Sequence, residues 1–157
     1  MVAERMQAAT ANLTPPFALV DLEALDSNAA SMITRARELP IRLATKSIRC
    51  RAITDHVLGR SGFQGVLAYS LAEAIWLVGS GISDVLLAYP TVDRNTLADL
   101  ARDDRLRESI MVMVDSVEHC EIITSAAAGR PIKVCMDIDA SLRIGPLHLG
   151  VRRSPVH

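Results

Sequence analysis

Five short apolar runs recur along the chain at nearly even intervals. They are Ile41 to Ala44, Gly65 to Ala68, Asp84 to Ala88, Ile110 to Val114 and Ile132 to Ile138; starts near residues 41, 65, 85, 110 and 132 lie 24, 20, 25 and 22 residues apart. Such runs, with little polar alternation, predict strands covered on both faces, as in a parallel sheet. Between them the hydrophobic residues fall every three or four positions, which predicts helices. Asp21 or Asp26 caps the first of these, whose apolar face is Leu22, Leu25, Ala29, Met32, Ile33 and Ala36, and Pro40 follows its end. A second runs from about Cys50 to Leu58 and is closed by Gly59. Ser70-x-x-Glu73 is a capping-box signature for a third, with Leu71, Ala74, Ile75 and Val78 on its inner face. Thr91 or Asp93 caps a fourth through about Ala101, and Ser116 a fifth ending near Gly129, while the charged run Arg102 to Glu108 is expected to be a solvated helix end and loop. Ahead of the repeat, residues 1–14 form a short helical leader stopped by Pro15-Pro16, and Phe17 to Val20 predicts one more strand.

A βα repeat of this kind fits two architectures. One is a doubly wound five-stranded sheet. The other is a parallel (β/α)8 TIM-type barrel of about 250 residues, of which this chain would hold about the first five βα units. The doubly wound fold calls for a glycine-rich phosphate loop or an acidic cluster at its switch point. The loop after Ile41 to Ala44 has neither, and carries Lys46 within Thr45-Lys46-Ser47. Parallel α/β folds gather their chemistry at strand C-termini, so Lys46, with Arg42, Arg49 and Arg51 close in sequence, is placed to act as an amine nucleophile toward a carbonyl. The same placement also suits a solvated loop lysine.

Composition narrows the setting. Half of the 157 residues are hydrophobic and only 3% are aromatic, so one domain with an aliphatic core is expected. A formal charge of −1, with both signs interspersed, argues against nucleic acid or a membrane surface as the main partner. Cys50, Cys120 and Cys135 form no CxxC pair and cannot all be paired within the chain, which suits a reducing cytoplasm and no metal site. No run reaches membrane-spanning length, and the first residues lack the apolar core of a signal peptide.

Four segments follow one another from Thr14 onward: TPPFALVDLEAL with Asn28 after it, RLATKSIRC around Lys46, GVLAYSLAEAIWLVGSGISDVLLAYP, and DIDASLRIG, which contains Arg143. In these the chain resembles the fold type III pyridoxal-phosphate enzymes, whose N-terminal part is the alanine-racemase-type barrel, and within them the D-threonine aldolase, D-serine dehydratase and amino-acid deaminase branch. The resemblance implies that Lys46 carries pyridoxal 5'-phosphate as an internal aldimine and is the catalytic lysine. It also implies that Arg143 lies near the cofactor's phenolic oxygen, where a cation stabilises the phenolate. Racemases have Thr-Gly-Met before this arginine, whereas this chain has Asp139-Ala140-Ser141-Leu142. That departure favours lyase chemistry on a D-amino acid over an amino-acid racemase. A non-catalytic pyridoxal-phosphate-binding domain or an inactive fragment is the further alternative.

Tyr69, Tyr89, Asp115, Asp137 and His148 fall at strand ends or in loops where they could line the pocket, although each also suits a cap, a packing aromatic or a loop residue. By resemblance, the phosphate cup comes from later barrel loops. A second acid/base group and a metal-binding His-x-Cys pair lie in a C-terminal β-domain, so any divalent metal would belong there. Residues 15–157 are therefore expected to be the N-terminal part of a longer, homodimeric enzyme, and the 157-residue chain is expected to be inactive alone.

Overall fold

Five parallel strands lie side by side in chain order: β1 (Ile41–Leu43), β2 (Phe63–Ala68), β3 (Val85–Leu87), β4 (Ile110–Val114) and β5 (Lys133–Met136). The computed structural model describes residues 2–151 and 154–156. Strand order separates the two architectures. A doubly wound sheet reverses direction at its switch point, whereas here each crossover advances one strand the same way. The result is a five-stranded arc of a (β/α)8-type barrel, and the sheet is not closed.

Alternation along the strands tells which face the helices cover. Val66, Ala68, Val85, Leu87, Ile110, Val112 and Val114 are buried, while the intervening Leu67, Leu86, Met111 and Met113 are half-buried. The buried set joins Leu71, Leu77 and Val78 of α5 (Leu71–Gly79), Leu97 and Leu100 of α6 (Arg94–Arg102), and Ile123 of α8 (Val117–Ala127) in one aliphatic core. Each fully buried aliphatic side chain contributes roughly 1.5–3 kcal/mol. Three helices start where the sequence places a cap: Ser70 Oγ accepts from Glu73 N–H, Asp93 from Thr96 N–H, and Ser116 Oγ from His119 N–H.

On the other face, near the strand starts, Arg42 makes a two-pronged ion pair with Asp84, Nη1 to Oδ1 at 2.7 Å and Nη2 to Oδ2 at 3.1 Å. The pair passes over Gly65, whose φ is +67° and where a Cβ would lie 2.4 Å from Arg42 Nη1 and 2.5 Å from Asp84 Oδ2. Only glycine meets both demands.

The structure corrects several expectations. Phe17 to Val20 pairs with no strand among the described residues and is exposed; it leads into the Asp21 cap of α2 (Leu22–Ala36), where Arg5 of α1 (Val2–Thr10) pairs with Asp21 and Glu23. An extended segment without a neighbouring ladder is not a strand. On α2 only Ala29 is fully buried, while Leu22 and Met32 face solvent, so its stripe is narrower than the spacing suggests. The charged run after Arg102 is partly helix, α7 (Asp104–Ser109), because Asp103 caps it and Arg105 and Arg107 donate to the carbonyls of Val78 and Ala101. Finally, Leu142–Ile144 and Leu147–Leu149 pair as an antiparallel hairpin, β6 and β7, where the sequence predicted no strand.

Candidate active site

Lys46 lies two residues beyond Ala44, in the single-turn helix α3 (Thr45–Ile48) at the C-terminal mouth of β1, rather than in an open turn. Ala44, at the cap position of α3, has no side-chain oxygen to offer. The turn is held instead by Thr45, which is 3% exposed and whose hydroxyl lies 2.8 Å from Glu73 Oε1 and 3.2 Å from the Leu67 carbonyl. Arg49 ends the turn in a left-handed conformation, φ 46°, and α4 (Arg51–Leu58) follows.

The next two strands deliver aromatics to the same place. Tyr69 follows β2 and Tyr89 stands two residues after β3. Lys46 Nζ donates to Tyr89 Oη at 2.8 Å and lies 4.6 Å from the centre of the Tyr89 ring, a contact of hydrogen-bond and cation–π character together. Tyr69 meets Tyr89 edge to face with centroids 5.7 Å apart, and the Arg49 guanidinium sits over the Tyr69 ring. Three consecutive strand ends thus converge on one half-buried amine. Among the described residues that amine meets no carboxylate, and it rests on a phenol hydroxyl. A primary amine so placed, beside flat ring surfaces, fits covalent attachment of a planar carbonyl cofactor.

The neighbouring cations are arranged differently from the sequence expectation. Arg42 is turned to Asp84, and Arg51 is taken up by Asp55 at 2.7 Å and by the Ser80 carbonyl at 2.8 Å. Arg49 is the arginine that stays beside Lys46, its Nε donating to the Lys46 carbonyl at 3.3 Å.

The remaining candidates are engaged elsewhere. Asp115, at the mouth of β4, binds His119 Nδ1 at 2.7 Å. Asp137 follows β5, its backbone N–H donating to Val114 and its carbonyl accepting from Ser154 Oγ. His148, on β7, contacts Ser141 Oγ and lies 3.6 Å from the buried Asp139 Oδ2. Arg143, paired with His148 in the hairpin register, has an exposed side chain. Hydrogen bonds and ring contacts therefore join Lys46, Tyr69 and Tyr89, and do not join Arg143 to them. Among the described residues no cluster of three or more His, Cys, Asp or Glu could hold a metal ion, and no helix is long and apolar enough to cross a membrane.

Thr45 and Glu73 are the members of this corner that the sequence did not assign to the site, while Arg49 entered it only as one of three arginines near Lys46. Glu73 had one signal, its third position after Ser70, but a capping box would send its carboxylate to Ser70 N–H. Here Glu73 Oε2 accepts from Tyr69 N–H at 3.0 Å.

Comparison with known proteins places this geometry. A D-threonine aldolase from Filomicrobium marinum superimposes with a TM-score of 0.70 at 28% sequence identity, over 87% of this chain and 37% of that one. A D-threo-3-hydroxyaspartate dehydratase carrying a histidine-to-alanine substitution gives a TM-score of 0.71 at 20% identity, over 88% of this chain and 37% of that one, a likeness of fold alone. The chain thus spans little more than a third of each of these proteins. No curated protein matches the sequence. The family described as alanine racemase, N-terminal domain, matches residues 20–153, and with a lysine at the mouth of the first of five sequential parallel strands the chain belongs to that family, the barrel of the fold type III pyridoxal-phosphate enzymes.

Proposed function

We propose that this chain supplies the cofactor lysine of a pyridoxal-phosphate-dependent enzyme acting on a D-amino acid, with lyase chemistry of the D-threonine aldolase or D-serine dehydratase kind. The observation that carries the reading is Lys46: a half-buried amine at the mouth of β1, held by Tyr89 across two strand positions and paired with no carboxylate among the described residues. The D-threonine aldolase at 28% identity and the Asp139-Ala140-Ser141-Leu142 segment support a lyase over a racemase. Lys46 would hold the cofactor covalently, and we assign Arg143 to its phenolic oxygen. When bound, the group would act as an electron sink for charge developing on the substrate's α-carbon. This chain's own contribution is placement. Tyr89 fixes Nζ, and the Tyr69–Tyr89 pair walls the mouth with aromatic surface.

The test exploits a sequence that contains two lysines, Lys46 and Lys133. Borohydride reduction of the intact protein loaded with pyridoxal phosphate, followed by peptide mapping, is expected to put the pyridoxyl adduct on Lys46. Lys133 lies on the exposed edge strand β5 and donates to the Glu108 carbonyl. An adduct confined to Lys133 would remove the assignment. Turnover of D-threonine, D-serine and D-alanine by the intact protein then separates aldolase, dehydratase and racemase chemistry.

A further inference from the structure

Among the described residues, Glu73 is the carboxylate that reaches both segments flanking the Lys46 amine. It stands at the third position of α5, and its two oxygens are divided: Oε1 accepts from the buried Thr45 hydroxyl at 2.8 Å, and Oε2 accepts from Tyr69 N–H at 3.0 Å. Its own N–H is tied to Ser70 Oγ at 3.2 Å, so the carboxylate projects from a capped, fixed helix start. Thr45 is the residue before Lys46, and α3 has no side-chain cap of its own. Tyr69 carries the ring on which Tyr89 and Arg49 rest, and Tyr89 in turn holds Lys46 Nζ. One side chain therefore sets the backbone from which the lysine departs and the aromatic wall against which its amine ends.

We propose that Glu73 is a positioning residue for Lys46, acting through Thr45 and Tyr69 and not by contact with the reacting atoms; the proposal rests on the reading of Lys46 as the cofactor lysine. The chemistry explains the residue type. A carboxylate offers two acceptor oxygens to two donors that face it from different βα loops, and bonds to a charged acceptor are the stronger kind. Glutamine can keep both links: its oxygen accepts from Tyr69 N–H, and its amide donates to Thr45 Oγ while the Thr45 hydroxyl turns to the Leu67 carbonyl already 3.2 Å away. Alanine keeps neither. A reacting amine displaced by about an ångström loses rate on the order of a hundredfold, which sets the scale of the effect.

The experiment compares wild type, Glu73→Gln, Glu73→Ala and Thr45→Val in the intact protein. Its first readout is the rate at which added pyridoxal phosphate gives a borohydride-reducible adduct on Lys46. Its second, in cofactor-free protein, is amide hydrogen exchange at Tyr69 and across residues 45–49. Glu73→Ala is expected to slow adduct formation at least about tenfold and to speed exchange at both segments, with Glu73→Gln restoring both readouts to near wild type. Thr45→Val is expected to slow the adduct while leaving Tyr69 exchange unchanged, and it carries the test if Glu73→Ala does not fold. Wild-type labelling on Lys46 with unchanged rate and exchange in Glu73→Ala and Thr45→Val overturns this proposal alone. Glutamine behaving like alanine overturns it in favour of a role for the negative charge. A wild-type adduct on Lys133 only overturns the cofactor-lysine reading and, with it, this inference.

Discussion

The mouth above β1, β2 and β3 and the segment that follows β5 are built from similar apolar sequence, yet one is a structured corner and the other an exposed one. Above β1 to β3, Lys46, Tyr69 and Tyr89 are tied to one another by ring contacts and a hydrogen bond, over strands whose helix-facing residues are largely buried. On β5 and after it, Val134, Met136, Leu142, Ile144, Leu147 and Leu149 are all exposed, and Arg143 stands among them with its side chain in solvent. The difference is one of neighbours. β2 to β4 each have a strand on both sides, and β1, though it pairs only with β2, sends Leu43 into the buried core, while β5 pairs only with β4 and the hairpin pairs with itself. Apolar sequence alone does not bury a strand; the flanking ladder and the covering helix do.

That contrast can be pressed by mutation of the intact protein, beginning with the largest expected effect. Leu100, fully buried on α6, and Leu147, 58% exposed on β7, are a matched pair. Leu100→Ala should cost roughly 2–5 kcal/mol in urea unfolding, by lost transfer energy and cavity formation, and Leu147→Ala no more than about 0.5. Equal losses would mean that the hairpin is as well packed as the core.

Gly65→Ala comes next, with an expected loss of about 1–3 kcal/mol. Most of this comes from the positive φ and not from the displaced Arg42–Asp84 pair, since partly exposed ion pairs contribute little. Asp84→Ala provides the control and should cost clearly less than Gly65→Ala in the same assay.

Arg143→Ala tests whether the exposed segment belongs to the site at all. Loss of a cation beside the phenolic oxygen should lower turnover about tenfold, equivalent to about 1.4 kcal/mol of barrier, while cofactor content measured by absorbance falls much less. Unchanged turnover would detach the hairpin from the chemistry.

The smallest effect concerns the packed side. The carboxyl of Asp26 on α2 is held below the ordinary carboxylate range, first by the hydrogen bond from His56 at 2.7 Å and then by the charge of Arg60. A depressed folded-state value means stabilisation that is present above the unfolded-state value and lost as pH falls through the folded one. The difference in urea midpoint between wild type and Asp26→Asn should therefore shrink on acidification, and a difference constant with pH would exclude this linkage.

The sequence by itself determined the βα repeat, the Ser70 and Ser116 caps and the lysine at a strand mouth, and narrowed two more caps to Asp21 or Asp26 and Thr91 or Asp93, because each depends on residues close along the chain. Apolar runs at intervals of 20 to 25 residues and oxygens at Asp21, Ser70, Asp93 and Ser116 act locally, and the structure retains them. Family motifs added the expectation that this lysine holds a cofactor. Strand order bore out the barrel arc that the missing glycine loop and the family motifs had favoured over the doubly wound sheet, two folds that share one local pattern and differ only in which crossovers reverse. Tertiary structure alone decided the rest. Phe17 to Val20 has strand-like residues but no ladder beside it, and Leu142 to Leu149 found its partner across the Gly145-Pro146 turn. Arg42 was near Lys46 in sequence, but the strand carries its side chain to Asp84, 42 residues away along the chain. Likewise Glu73, a cap by its spacing, became the link between two βα loops because parallel strands set side by side bring Thr45 and Tyr69 within reach of one carboxylate. Contacts made across 22 to 43 residues, as Thr45 to Leu67 and Lys46 to Tyr89 are, leave no local trace for a sequence to show.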